Sequence, residues 1–376
     1  MKFGVAFISN CLNQSHLEQV QNSQGVAESG FFKPFSCRVS GLKGGMFLVP
    51  SLPEDLLNAK GIREARKQFM AAAYAAQQSG AKVILLAASL KRLFGSSCKL
   101  SIDHKGNSSF KGKSLLQHFP DILFTNGDNG TISLFRMDID SILSRAKMHT
   151  RQISPVVIGT GLLGVATLEY LIELGYPEEQ IQVVTRHPAN VQKLLWKNGM
   201  TIHESSSEIS PFSNVIFICT HLKSQRLTAD QLSIFNQGIY VLDVAVPYGL
   251  PEKEYQRCLR MGVDLYRQDG GNAYSENIIF DFHPELVGLH EHIFYGCFTE
   301  ASILALELFA DEANSKIFRK LDLFSVNKES RQLVEKLFKK HGFGLPPKPL
   351  CFNKEIRIQD SVRMSLNHGL ASSMSN

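Results

Sequence analysis

Gly159-Thr160-Gly161-Leu162-Leu163-Gly164 follows directly on the short apolar run Pro155–Ile158 and opens a helical pattern at Leu168, Leu171, Ile172 and Leu174. A second β-rich run, residues 181–185, comes about twenty residues after the glycines. Strand, glycine turn, helix and strand make the first half of a dinucleotide-binding unit. The first glycine permits the tight turn and the second admits a pyrophosphate to the backbone. The third lets helix and strand pack closely, so that free N–H groups at the helix start face the anion. A purely structural glycine turn is the competing reading, and the strands on both sides favour the nucleotide.

The second strand also bears on which nucleotide. NAD-binding units place Asp or Glu there to accept from the ribose 2′-hydroxyl. This chain has Thr185-Arg186-His187, with Lys193 further on. A guanidinium grips a 2′-phosphate that a carboxylate would repel, which points to NADPH; the bland alternative is a solvated Arg186. In doubly wound sheets ligands sit beyond the carboxyl ends of the strands. Cys219-Thr220-His221 and Val244-Ala245 fall there and are candidates for the nicotinamide end, or else ordinary loop residues.

These elements belong to a chain of 376 residues, 44% hydrophobic and 20% charged, which suits two globular domains plus a tail. Its apolar stretches are broken well short of a membrane span, and residues 1–10 lack a signal-peptide cleavage pattern. Seven scattered cysteines form no metal spacing and suit a reduced, cytoplasmic setting. The formal charge of +5 is mild and gives no case for nucleic acid, although Arg63/Arg66/Lys67 and Lys339/Lys340 could receive an acidic partner.

The expected architecture is α/β: an N-terminal α/β domain plus an NAD(P)-binding Rossmann domain, with C-terminal helices packing back across the cleft. The reading divides the chain at 1–130, a bridging helix 131–150, the nucleotide domain 151–285, C-terminal helices 286–345 and a poorly ordered tail 346–376. Within the first part, 2–8, 45–49, 82–87 and 121–124 read as strands and 62–78 as an Ala-rich helix stopping at Gly80. Residues 100–113 read as loop. A helix is expected from Thr131, strands at 214–219, 239–243 and 263–266, and an amphipathic helix at 327–341.

Cys297 is the candidate nucleophile. Taken alone, it also fits a buried core thiol. Its place just before the apolar helical run 301–310, however, sets it in a first turn, where a helix start lowers a thiol pKa. His283, His290 and His292 lie nearby in sequence, and pairing one with Cys297 requires a non-helical segment before Gly296.

The chain resembles the long-chain acyl-(acyl-carrier-protein) reductases and their predicted dehydrogenase relatives. The matching stretches are Leu52-Pro-Glu54, Arg63 to Gly80, Phe124-Thr-Asn-Gly127, Thr185-Arg186, Phe294-Tyr-Gly-Cys297-Phe-Thr-Glu300-Ala and Lys340-His-Gly-Phe343, in order over most of residues 45–345. Family members carry their acyl-accepting cysteine in the segment matched by Cys297. The resemblance implies NADPH-dependent reduction of a fatty acyl thioester, held on acyl-carrier protein or coenzyme A, to an aldehyde through a Cys297 acyl-enzyme. Glu300, one turn on, is read as a proton handler or a structural hydrogen-bonding group. The six-residue glycine turn is one residue shorter than in the family, and Asp243-Val-Ala-Val-Pro247 looks more like glutamyl-tRNA reductases. No ligand cluster is found for a metal. Oligomeric state and membrane contact through an apolar product are left open.

Three other readings compete. An amino-acid or shikimate-type dehydrogenase shares the plan without a covalent step; Asn126-Gly-Asp128 resembles its Asn-Thr-Asp segment, but its Lys/Asp pair finds no convincing match here. A glutamyl-tRNA reductase would need Cys11 or Cys37 as nucleophile. A non-catalytic nucleotide-binding protein would be indifferent to Cys297.

Overall fold

The computed structural model describes residues 2–356 except 26–28, 96–97, 104, 150–152, 189–190, 192–198, 221 and 236–237. The chain forms two compact units, 1–133 with 272–344, and 134–271 with the residues from 345 onward.

The first unit is built on a six-stranded sheet in the order Ile278–Phe280, Phe35–Val39, Leu42–Val49, Val5–Asn10, Val83–Leu86, Leu123–Thr125. Four strands run parallel, and the two at the first edge are antiparallel to their neighbours. Parallel strands covered on both faces read as continuous apolar runs, and Val83-Ile-Leu-Leu86 is fully buried. One face is covered by the helix Ala59–Gln78. Asn58 caps its start by accepting from the Gly61 N–H, and Ala65, Phe69, Ala72, Ala73 and Ala76 form its buried stripe at helical spacing. The small alanines let the helix lie close to the strands. Ser79 ends it and Gly80 follows at φ +92°.

The helix Gly296–Ala310 packs on Val5–Asn10 and Val83–Leu86, so a segment from late in the chain completes this unit. The stretch 100–113, expected as loop, takes part in a short antiparallel pairing of Ser101–Ile102 with Lys113–Ser114.

The second unit carries a wholly parallel sheet in the order Thr201–His203, Gln182–Val184, Pro155–Ile158, Val215–Ile218, Ile239–Asp243, Leu265–Asp269. Numbered along the chain this is 3-2-1-4-5-6, the doubly wound order, and the direction of winding reverses between Pro155–Ile158 and Val215–Ile218. The two-domain α/β expectation holds.

Arg267, fully buried, donates to Asp269 at 2.5 Å and Asp243 at 3.2 Å. Its guanidinium lies 3.9 Å from the Phe352 ring centre and 4.5 Å from that of Tyr248. Asp269 also accepts from the N–H groups of Phe352 and Asn353, at 3.2 and 2.8 Å. A hairpin of Leu350–Cys351 with Lys354–Glu355 is thereby tied to the last strand. The sequence expects a loose tail from 346. Residues up to 356 are instead packed, because buried charges demand partners; residues 357–376 lie outside those described.

Candidate functional site

In the second unit the three glycines divide the labour as a phosphate loop requires. Gly159 turns at φ +96°, and a Cβ there would stand 2.6 Å from Thr220 Cβ. A Cβ on Gly164 would meet the Gly159 carbonyl oxygen at 1.9 Å, so the helix Leu162–Glu173 sits against the turn. A Cβ on Gly161 would meet nothing within 4 Å. Gly161 is also the helix cap and offers no side chain to the first N–H groups. An open approach and uncapped donors fit a diphosphate. Leu162 is exposed and Leu163 half-buried beside it.

Around this turn, the hydroxyls of Thr160 and Thr185 lie 2.6 Å apart, and Thr185 accepts from the His187 N–H at 3.1 Å. Arg186 follows, exposed, just past the end of Gln182–Val184. Lys193 and His221 lie outside the described residues. Cys219 and Thr220 follow Val215–Ile218 and border the glycine turn. Burial pushes the Cys219 thiol up to about 12, so it stays protonated. The Val244 N–H donates to the Ile218 carbonyl at 3.1 Å and the Ala245 N–H to Asp243 Oδ1 at 3.0 Å, which holds both beside the neighbouring strand end.

Cys297 and Glu300 stand in the first unit, at the start of the Gly296–Ala310 helix. The segment before Gly296 is a strand, Ile293–Tyr295, as a His–Cys pair would need. None of the three histidines takes that part, however. His292 Nδ1 bonds the Ile278 carbonyl at 3.0 Å, His290 the Glu291 carbonyl at 3.4 Å, and His283 stands just before the short turn Pro284–Val287 without a side-chain bond to it.

The groups that act on Cys297 are instead Lys91, Asp128 and Glu300. Lys91 comes from the turn Ala88–Arg92 beyond the strand Val83–Leu86, and its Nζ lies 2.5 Å from Asp128 Oδ1. Asp128 opens the helix Asp128–His149. That helix begins three residues before the expected Thr131, with Gly127 at φ +70° preceding it.

The two helix starts touch through glycine. A Cβ on Gly127 would stand 2.3 Å from Cys297 Cβ, one on Gly130 2.4 Å from the Gly296 carbonyl oxygen, and one on Gly296 2.7 Å from Thr131 Cα. Only residues without a Cβ permit backbone contact this close.

Glu300 is fully buried. One carboxylate oxygen accepts from the Thr125 hydroxyl, and the other from the Gly130 N–H at 2.6 Å. Glu300 thus anchors the first turn of the neighbouring helix.

Burial governs the electrostatics. It pushes the Cys297 thiol up to about 11; Lys91 pulls it down, and Asp128 and Glu300 add to the rise. The lowering expected from the helix start is therefore overturned by desolvation. Burial also pulls Lys91 down, but Asp128, Cys297 and Glu300 together hold it above its ordinary value. Glu300 is raised to about 7 by burial, against the hydrogen bonds from Thr125 and Gly130.

That shift has a stability consequence. Between 4.5 and about 7 the folded chain keeps a proton on Glu300 that the unfolded chain releases. Its favourable contribution is complete below about 4.5 and is lost as pH rises through about 7. Wild-type stability relative to Glu300→Gln should therefore fall on the order of 3 kcal/mol from pH 4 to pH 8. Urea midpoints measured across that range check it, and a constant difference would mean that folding leaves the Glu300 pKa where it is in the unfolded chain.

Lys91 escaped the sequence reading, and so did its ion pair with Asp128, in the N-terminal part where no convincing match to a dehydrogenase Lys/Asp pair is expected. Position beyond the carboxyl end of a parallel strand was the available signal for Lys91.

Among the described residues no group of three or more His, Cys, Asp or Glu is placed to hold a metal, and no helix is long and apolar enough to cross a membrane.

Residues 156–247 match the family described as NADP oxidoreductase, coenzyme F420-dependent. The second unit is accordingly a nicotinamide-nucleotide-binding, Rossmann-like domain of the oxidoreductase type. No curated protein matches the chain. Among solved structures, a chorismate mutase/shikimate 5-dehydrogenase fusion protein from Clostridium acetobutylicum is 14% identical, covering 91% of this chain and 100% of that one at a TM-score of 0.33. The NAD-dependent malic enzyme of Thermotoga maritima is 11% identical, over 70% and 65% of the two chains, at 0.36. The D-lactate dehydrogenase of Salmonella is 13% identical, over 70% and 78%, at 0.31.

Proposed function

We propose that the chain is an NADPH-dependent acyl-thioester reductase that works through a Cys297 acyl-enzyme, with an acyl-carrier protein or coenzyme A as donor. The observation that supports this reading is the placement of Cys297 at a helix start in a tight, glycine-lined junction, against Gly127, whose neighbour Asp128 pairs with Lys91. The Cys297 thiolate attacks the thioester carbonyl, a C–S bond forms, and the donor leaves as a thiol after taking up a proton. Gly159 to Gly164 would hold NADPH, which would supply the hydride that reduces the second thioester. Breaking the Cys297–carbon bond then releases aldehyde and restores the thiolate. Glu300, near half-protonated at neutral pH, holds the helix junction in which this occurs.

The test omits the reductant. Incubation with a long-chain acyl thioester should add one acyl mass to the intact protein, mapped to the peptide that contains Cys297. An unchanged mass with both carrier-protein and coenzyme A donors would sink the covalent route.

Arg186 is assigned to the 2′-phosphate. Arg186→Ala should weaken NADPH binding by roughly ten- to a hundredfold, the worth of a charge-assisted contact, and NADH hardly at all. Fluorescence titration of both nucleotides measures it; equal losses remove the assignment.

One observation favours a second reading. The Lys91–Asp128 pair suits proton exchange with a hydroxyl, as a shikimate-type dehydrogenase without a covalent step would use it. That reading predicts full turnover after Cys297→Ser.

A further inference from the structure

Deepening the proposed function, and resting on Cys297 as its nucleophile, we infer that Lys91 and Asp128 form an opposed charge lever on Cys297: Lys91 stabilises the thiolate, and Asp128 positions Lys91 and limits its strength. The geometry comes first. Gly127, in backbone contact with Cys297, is followed directly by Asp128, whose carboxylate holds the Lys91 ammonium at 2.5 Å. Lys91 arrives from the Ala88–Arg92 turn, Asp128 from the start of its own helix, and Glu300 from the helix of Cys297 itself. One cation and two carboxylates are thus the charged groups whose electrostatic influence reaches the sulfur.

A thiol buried in this way gains a thiolate only as far as the cation outweighs burial and the two carboxylates. The Asp128 side chain is almost wholly buried, that of Lys91 mostly so, which strengthens their mutual attraction and fixes the ammonium in one place. The direct effect of Asp128 on the sulfur is unfavourable, whereas its grip on Lys91 keeps the cation near. Asp128→Asn removes the negative charge but keeps an oxygen to hold the Lys91 ammonium, so it and Lys91→Met should move the thiolate population in opposite directions.

The experiment reads the sulfur itself, without nucleotide or substrate. Iodoacetamide labelling of the Cys297 peptide is followed by mass spectrometry from pH 7 to pH 10 in the full chain, with circular dichroism confirming each fold. Lys91→Met should label about tenfold more slowly than wild type at each pH, a shift of about one pKa unit. Lys91→Arg should restore most of the rate, and Asp128→Asn should label severalfold faster. A loosened structure would expose the sulfur and speed labelling in both variants, which overturns the inference. Unchanged labelling in Lys91→Met overturns it equally. Should no acyl adduct form while these opposite shifts appear, the acyl-thioester reading fails and the lever stands.

Discussion

Cys297→Ser should lower the proposed acyl-thioester reduction by at least about a thousandfold, because removing a covalent nucleophile would disable every later step. The serine hydroxyl fits the same space beside Gly127 but ionises far less readily than a thiol already pushed up to about 11. In the wild type only the deprotonated sulfur attacks, so single-turnover acylation should climb about tenfold per pH unit between 7 and 10. Loss of that slope in the variant, alongside the loss of rate, identifies the titrating group. Stopped-flow release of the donor thiol measures both. A variant retaining a tenth or more of wild-type turnover would transfer the chemistry to the Lys91–Asp128 pair.

Gly127→Ala should cost roughly 3 kcal/mol or more of stability in the first unit and displace the nucleophile. Two penalties combine: a left-handed backbone at φ +70° disfavours a Cβ by about 1–2 kcal/mol, and overpacking adds about 1–3 kcal/mol. The new methyl would lie 2.3–2.7 Å from Cβ, Cα and the carbonyl oxygen of Cys297, two of them backbone atoms with no rotamer to yield. Gly175 is the internal control: at φ +85° with nothing within 4 Å, it should cost about 1 kcal/mol as alanine. Urea unfolding of the two variants compares them. Equal losses would mean that the junction yields freely and does not constrain the cysteine.

The nucleotide unit was legible because its information is local. Glycines, strand and helix stand within thirty residues, and the runs at 215–218 and 239–243 are uninterrupted apolar strands. The first unit was harder. Phe35–Val39 alternates apolar and polar residues over only five positions, a weak signal, and it pairs with Ile278–Phe280, three residues from far along the chain. Lys91 and Asp128 are 37 residues apart, and each looks like a surface charge until the fold buries it. The thiol's direction of shift failed for a related reason: helix position can be read from sequence, whereas burial depends on what packs against it.

The first unit is written in two instalments, residues 1–133 and then 272–344, with the parallel sheet of the second unit lying between them. Synthesis from the N-terminus therefore finishes all six strands of the nucleotide-binding sheet, the last at Asp269, before Cys297 leaves the ribosome. Lys91 and Asp128 must wait unpartnered by the sulfur while some 170 residues are added. Joining the two instalments is a long-range closure, intrinsically slow. Cys297 is thus placed in its fold late in the order of manufacture, after every strand of the nucleotide-type sheet has been made.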